Sequence, residues 1–154
     1  LWRVKTKSAE ETLSIGRILG QLLEEGHVVC LSGDLGAGKT TLVKGIALGL
    51  GVKEVATSPS FVLVHEYPGR LPLFHLDLYR LEPEAVQELG VAEYLGRGVC
   101  VIEWPENLGV LLPREHLWIR MEMGEDEDER LIYLKAKGHR YQSLLKRLKG
   151  RCAS

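Results

Sequence analysis

Gly33-Asp34-Leu35-Gly36-Ala37-Gly38-Lys39-Thr40, followed by Thr41, is the stretch that decides the fold. It fits G-x-x-x-x-G-K-[ST] and lies between the apolar run Val28-Val29-Cys30-Leu31 and a segment with helical spacing. A strand that ends on a tight glycine turn and feeds a helix points successive backbone N–H groups inward, forming a nest for a polyphosphate. The unpaired N–H groups at the helix start add donors where negative charge collects. Side chains at Gly33, Gly36 and Gly38 are expected to crowd that nest. Asp34, Leu35, Gly36, Ala37, Gly38, Lys39, Thr40 and Thr41 are therefore candidate nucleotide-binding positions. Lys39 supplies a point charge for the outer phosphates, and the Thr40 hydroxyl is a candidate Mg²⁺ ligand. A glycine-rich hairpin with a chance lysine is the competing reading; the strand before the loop and the helix after it disfavour it.

Working outward, the 154 residues predict one domain, residues 1–154, large enough for a single substantial core. Hydrophobic residues at 45% and charged residues at 27% are ordinary for a globular protein. A formal charge of −1 argues against broad, charge-driven binding to nucleic acid, so contact with RNA is expected through a partner. No apolar run approaches the ~20 residues that span a bilayer, and the beginning of the chain lacks a secretory pattern, which together predict a cytoplasmic protein away from membranes. The cysteines, Cys30, Cys100 and Cys152, show no C-x-x-C pairing. Cys30 and Cys100 sit in strand-like apolar runs and read as small buried hydrophobes, and no zinc site is expected.

Along the chain, Trp2-Arg3-Val4-Lys5 alternates as a short edge strand does. Ser8 with Glu11 looks like a capped helix start, and Leu13, Ile15, Ile18, Leu19, Leu22 and Leu23 supply its apolar face up to a stop near Gly26. Residues 27–31 form the strand before the loop, and residues 39–50 the helix after it. Thr57-Ser58-Pro59-Ser60-Phe61 reads locally as a polar turn. Residues 61–67 and 73–79 are two strands of a hairpin, and residues 83–94 one or two short helices interrupted at Gly90. Residues 116–123 and 130–137 are two further strands joined by the acidic run Glu125-Asp126-Glu127-Asp128-Glu129, expected to be a solvated turn. From His139, the spacing of Tyr141, Leu144, Leu145 and Leu148 predicts an amphipathic helix. Together these predict an α/β, three-layer fold of the P-loop NTPase type, with a mixed, mainly parallel central sheet and flanking helices.

Two strands carry candidate acids. Val99-Cys100-Val101-Ile102 is a fully apolar run, as a buried parallel strand requires, and Glu103 follows it at the end where open α/β sheets bind ligands. Glu103 is thus a candidate metal ligand facing Thr40, in preference to an acid that merely ends a strand. In the other strand, alternation puts His75, Asp77 and Tyr79 on one face. From these residues alone an exposed polar face is the favoured reading, with a water-orienting acid as the alternative.

The loop, Ser58-Pro59-Ser60-Phe61, His75-Leu76-Asp77-Leu78-Tyr79-Arg80 and Glu103-Trp104, in that order, resemble the TsaE (YjeE) family over residues 10–137. The H-x-D-x-Y-R and E-W elements make the match far more specific than the loop alone. The resemblance implies ATP binding and hydrolysis with Mg²⁺, in support of partner proteins TsaB and TsaD in forming N6-threonylcarbamoyladenosine in tRNA. It implies that Gly36 to Thr41 cradle the phosphates, that Thr40 and Glu103 hold the metal, and that Asp77, Lys39 and Glu103 are the catalytic set. Ala9 and Arg130 would lie near the base or phosphates, and residues 57–61 would be a nucleotide-sensing switch. Ser60 departs from the more usual S-P-T while keeping the hydroxyl. A regulatory GTPase is disfavoured because N-K-x-D is missing. A P-loop small-molecule kinase and an ATP-sensing assembly module remain as alternatives.

Overall fold

The computed structural model describes residues 1–34, 36–53, 64–79 and 81–152. Expectations for Leu35, residues 57–63 and Arg80 fall outside the described residues. In chain order the elements are β1 (Trp2–Thr6), α1 (Ala9–Leu22), β2 (Val28–Gly33), α2 (Lys39–Gly49), β3 (Val64–Tyr67), β4 (Leu73–Asp77), α3 (Pro83–Glu88), β5 (Val99–Glu103), β6 (His116–Met123), β7 (Arg130–Lys137) and α4 (His139–Cys152). Short 3-10 segments occupy Val91–Glu93 and Pro105–Leu111.

The strands form one sheet in the order β1-β7-β6-β2-β5-β4-β3. Its centre, β6-β2-β5-β4, is parallel, whereas β1, β7 and β3 are joined antiparallel at the edges. The reason is legible in β2 and β5, which are buried on both faces and so carry unbroken apolar runs. Odd-numbered Val29, Leu31, Val99 and Val101 pack with residues of α1, α2 and α4. Even-numbered Val28, Cys30, Cys100 and Ile102 pack against Val86 of α3 and against Val91 and Leu108 of the 3-10 segments. Helices therefore cover both faces in three layers. Burial pushes the thiols of Cys30 and Cys100 up to about 12, so neither is a reactive nucleophile. Among the described residues no helix is long and apolar enough to cross a membrane.

The contact that sets α1 against α2 is made by backbone. A Cβ on Gly16 would lie 2.5 Å from the Leu42 carbonyl oxygen, and one on Gly45 would collide with the Leu13 carbonyl. Gly20 and Gly49 repeat the arrangement one turn on, against Ile46 and Arg17. Glycines four apart on each helix thus let the two axes approach more closely than side chains allow. At the start of α1 the Ser8 hydroxyl accepts from the Glu11 N–H at 3.2 Å, as the sequence predicts. The Glu11 carboxylate accepts from the Lys7 N–H at 2.6 Å, one residue earlier than a standard capping box. The helix ends at Leu22, before Gly26, because the chain must turn at that positive-φ glycine to enter β2.

The amino end of β2 is closed by α4. The Tyr141 hydroxyl accepts from the Val28 N–H at 2.8 Å and the Tyr141 ring lies 5.0 Å from that of His27. His27 Nδ1 accepts from the Glu24 N–H at 2.8 Å, while its buried Nε2 has no partner among the described residues. Burial, reinforced by Arg140, pulls the His27 pKa down to about 4. The acidic run is not uniformly solvated: Glu129 is buried, accepting from the Glu125 N–H at 3.3 Å and lying 3.6 Å from Lys5 Nζ.

Candidate functional site

The site assembles where β2, β4 and β5 end, on the face covered by α1 and α2. Lys39 opens α2 and is 5% exposed. Among the described residues its Nζ has no hydrogen-bond partner; it lies 4.0 Å from Glu103 Oε1 and 4.4 Å from the centre of the Trp104 ring. A buried ammonium held only by a carboxylate beyond hydrogen-bonding distance and an aromatic face is short of acceptors.

Glu103 ends β5, and its other oxygen, Oε2, lies 2.6 Å from His75 Nε2 on the neighbouring β4. Asp77 pairs in register with Glu103, and its Oδ1 accepts from the Tyr79 N–H at 3.0 Å. Strand alternation keeps His75 and Asp77 on one face, as read from the sequence, and the parallel register adds Glu103 to it. Immediately after Glu103, Trp104 adopts φ 57°, an uncommon left-handed conformation for a non-glycine residue. That turn aims the indole at Lys39 and sets it 4.9 Å from the Tyr79 ring. The chain path is pinned by Leu78 N–H donating to the Glu103 carbonyl at 3.1 Å and Asn107 Nδ2 donating to the Leu78 carbonyl at 2.8 Å.

The loop glycines serve two different needs. A Cβ on Gly33 would collide with the Met121 carbonyl of β6, so that glycine is required by the adjoining strand and not, as the sequence suggests, by crowding of the nest. Gly36, at φ +86° with open space around it, is required by backbone conformation. Asp34 is exposed and lines the flank of the loop with Trp104 and Glu106.

A second group converges on the other side of the loop. Ala9, Thr12, Gly38, Thr41, Asp128 and Arg130 line one small pocket. Arg130 donates from Nη1 to the Glu127 and Glu129 carbonyls at 2.7 and 2.9 Å and from Nη2 to the Gly36 carbonyl at 3.4 Å, while its buried Nε has no partner among the described residues. Two cationic side chains with orphaned buried nitrogens therefore flank one glycine loop, which suits a polyanion. Thr40 is exposed, and among the described residues no group of three His, Cys, Asp or Glu side chains is placed to hold a metal. A cation here would draw most of its ligands from phosphate and water, as Mg²⁺ does. The residues present thus fit a metal–polyphosphate pair.

The structure brings Lys39, Glu103 and Asp77 into one cluster and Ala9, Gly38, Thr41 and Arg130 into another. Sequence reasoning assigned no role to Trp104, Thr12, Asp128 or His75. The available signals were the E-W pair, the one-turn offset of Thr12 from Ala9, and the shared parity of His75 with Asp77.

A family model described as "Threonylcarbamoyl adenosine biosynthesis protein TsaE" matches residues 6–132. A Bacillus subtilis protein named tRNA threonylcarbamoyladenosine biosynthesis protein TsaE is 44% identical over 149 residues, covering 96% of this chain and 92% of that one. Its namesake in Treponema pallidum is 48% identical over 126 residues, covering 80% and 93%. Among solved structures, the crystal structure of Bacillus subtilis YdiB superposes with a TM-score of 0.86 at 39% identity, covering 97% of this chain and 95% of that one.

Proposed function

Because the chain belongs to the TsaE family, whose role lies in tRNA threonylcarbamoyladenosine biosynthesis, we propose that it binds ATP with Mg²⁺ at the glycine loop and hydrolyses it in support of that synthesis. The observation that carries the reading is the buried Lys39 Nζ, left without a hydrogen bond among the described residues at the mouth of a loop built from positive-φ glycines. An ATP γ-phosphate would supply the acceptors it lacks.

In this reading the backbone N–H groups from Gly36 to Thr41 and the start of α2 hold the phosphates, and Lys39 meets the charge that grows on the outer one. Thr40 and Glu103 are the protein ligands of the metal. Bound Mg²⁺ supplies charge neutralisation to the phosphate oxygens. Asp77, beside Glu103 in register, orients the attacking water. Ala9, Thr12 and Arg130 border the nucleotide from the α1 side, Arg130 through its free Nε. TsaB and TsaD are the proposed partners, with tRNA reached through that assembly and not by a basic field of this chain, whose formal charge is −1.

Phosphate release from ATP, measured with and without the partner proteins, tests the proposal. Lys39→Ala is expected to abolish ATP binding, and Asp77→Ala to keep binding while turnover falls by about 100-fold or more. Normal turnover by Asp77→Ala would remove the role given to that residue. Absence of ATP binding by the wild-type chain would overturn the proposal as a whole.

A further inference from the structure

We propose that His75 is a positioning residue: it ties down one oxygen of the Glu103 carboxylate so that the other alone faces Lys39 and the metal position. The inference rests on the nucleotide reading above and assigns a role to a side chain which that reading leaves idle.

The geometry comes from the parallel pairing of β4 with β5. His75 is opposite Val101, and Asp77 is opposite Glu103, so the imidazole reaches diagonally along one face of the sheet to the carboxylate. The His75 Nε2 to Glu103 Oε2 separation is 2.6 Å, with the two side chains 17% and 13% exposed. Shielding from water strengthens such a bond. A carboxylate oxygen only accepts, so His75 donates from Nε2. Lys39 Nζ, at 4.0 Å from Oε1, is too far to form a hydrogen bond. Among the described residues His75 therefore provides the hydrogen bond that fixes the Glu103 side chain.

Such a bond matters because Mg²⁺ demands strict octahedral geometry and takes few ligands from the protein. A glutamate with three free torsions would spend much of its time elsewhere. Anchored through Oε2, the Glu103 carboxylate keeps Oε1 directed toward Lys39. Partners that orient a metal ligand in this way are worth about 10- to 100-fold in metal affinity or activity.

Calorimetric titration with ADP, once in EDTA and once with excess Mg²⁺, tests the role by the gain in affinity that the metal confers. His75→Ala is expected to cut that gain about tenfold, with ADP affinity in EDTA held within about twofold of wild type. His75→Gln, whose amide N–H extends to a similar reach, is expected to restore most of the gain. Turnover of ATP should fall about tenfold in His75→Ala through kcat, with KM little changed. A full metal gain in His75→Ala overturns the inference while leaving ATP hydrolysis in place. Equal losses with and without metal, or no rescue by His75→Gln, overturn it as well by showing a structural role. A wild-type protein that binds no ADP overturns the nucleotide reading and this inference with it.

Discussion

The α1–α2 seam and the glycine loop are both built on glycine, yet Gly36 of the loop meets a need opposite to that of the seam. At Gly16, Gly20, Gly45 and Gly49 the place of the missing side chain is taken by another backbone. At Gly36 no described residue beyond its chain neighbours stands within 4 Å of where a Cβ would be, and the residue is needed for its φ of +86°. The seam has filled its space; the loop holds space open at Gly36, beside a lysine and an arginine whose buried nitrogens have no partner among the described residues. Stability is concentrated in the first region, and the proposed capacity to bind in the second.

The largest test of that contrast is the double substitution Gly16→Ala with Gly45→Ala, which places two methyl groups at positions 3.0 and 2.9 Å from the facing Cα. Overpacking should cost at least about 4 kcal/mol in total, despite the ~1 kcal/mol of helix propensity each alanine gains. Chemical denaturation should show the cooperative transition lost or shifted to very low denaturant. A variant as stable as wild type would break the comparison.

His27 sharpens it next, as an orphaned nitrogen with no loop beside it to bring a ligand. Its folded pKa of about 4 lies below the unfolded value of 6.5, so the unfolded chain takes up a proton first as pH falls. Its contribution is complete above pH 6.5 and drains away toward pH 4, by up to about 3 kcal/mol. His27→Asn, which can still accept from the Glu24 N–H, should flatten the stability profile across that window, as followed by denaturant melts at stepped pH.

Gly36→Ala should cost about 1 kcal/mol of stability from the left-handed backbone alone, while nucleotide affinity falls by more than that figure implies. Separate measurements of melting and ADP binding would distinguish the two. The smallest expected change is the stability of Lys39→Met, which removes at similar length a buried ammonium that has no hydrogen bond among the described residues. Its melting temperature should match or exceed wild type although ATP binding is lost. A large destabilisation would mean that Lys39 belongs to the scaffold.

Much of this was readable beforehand because the signals were local. The apolar runs before Gly33 and Glu103 marked the buried parallel strands, and alternation in β4 placed His75 and Asp77 together. The residues from His139 predicted α4 and its buried stripe of Tyr141, Leu144, Leu145 and Leu148. The features that escaped depend on distant neighbours. The four seam glycines have no meaning until α1 meets α2, and Gly33 owes its identity to Met121, which follows 88 positions later by residue number. The buried Glu129 looked solvated because its charged neighbours hid the turn that folds it inward. The left-handed turn at Trp104 left no compositional trace.

The glycine seam also governs the small cleft beside the loop, where the proposed nucleotide would be gripped. Ala9 and Thr12 belong to the start of one helix, Gly38 and Thr41 to the start of the other, and the pair is clamped too tightly to slide. Two walls of the cleft therefore behave as one jaw of a vice that does not travel. The opposing jaw is the β6–β7 hairpin, which carries Asp128 and Arg130 across to meet them.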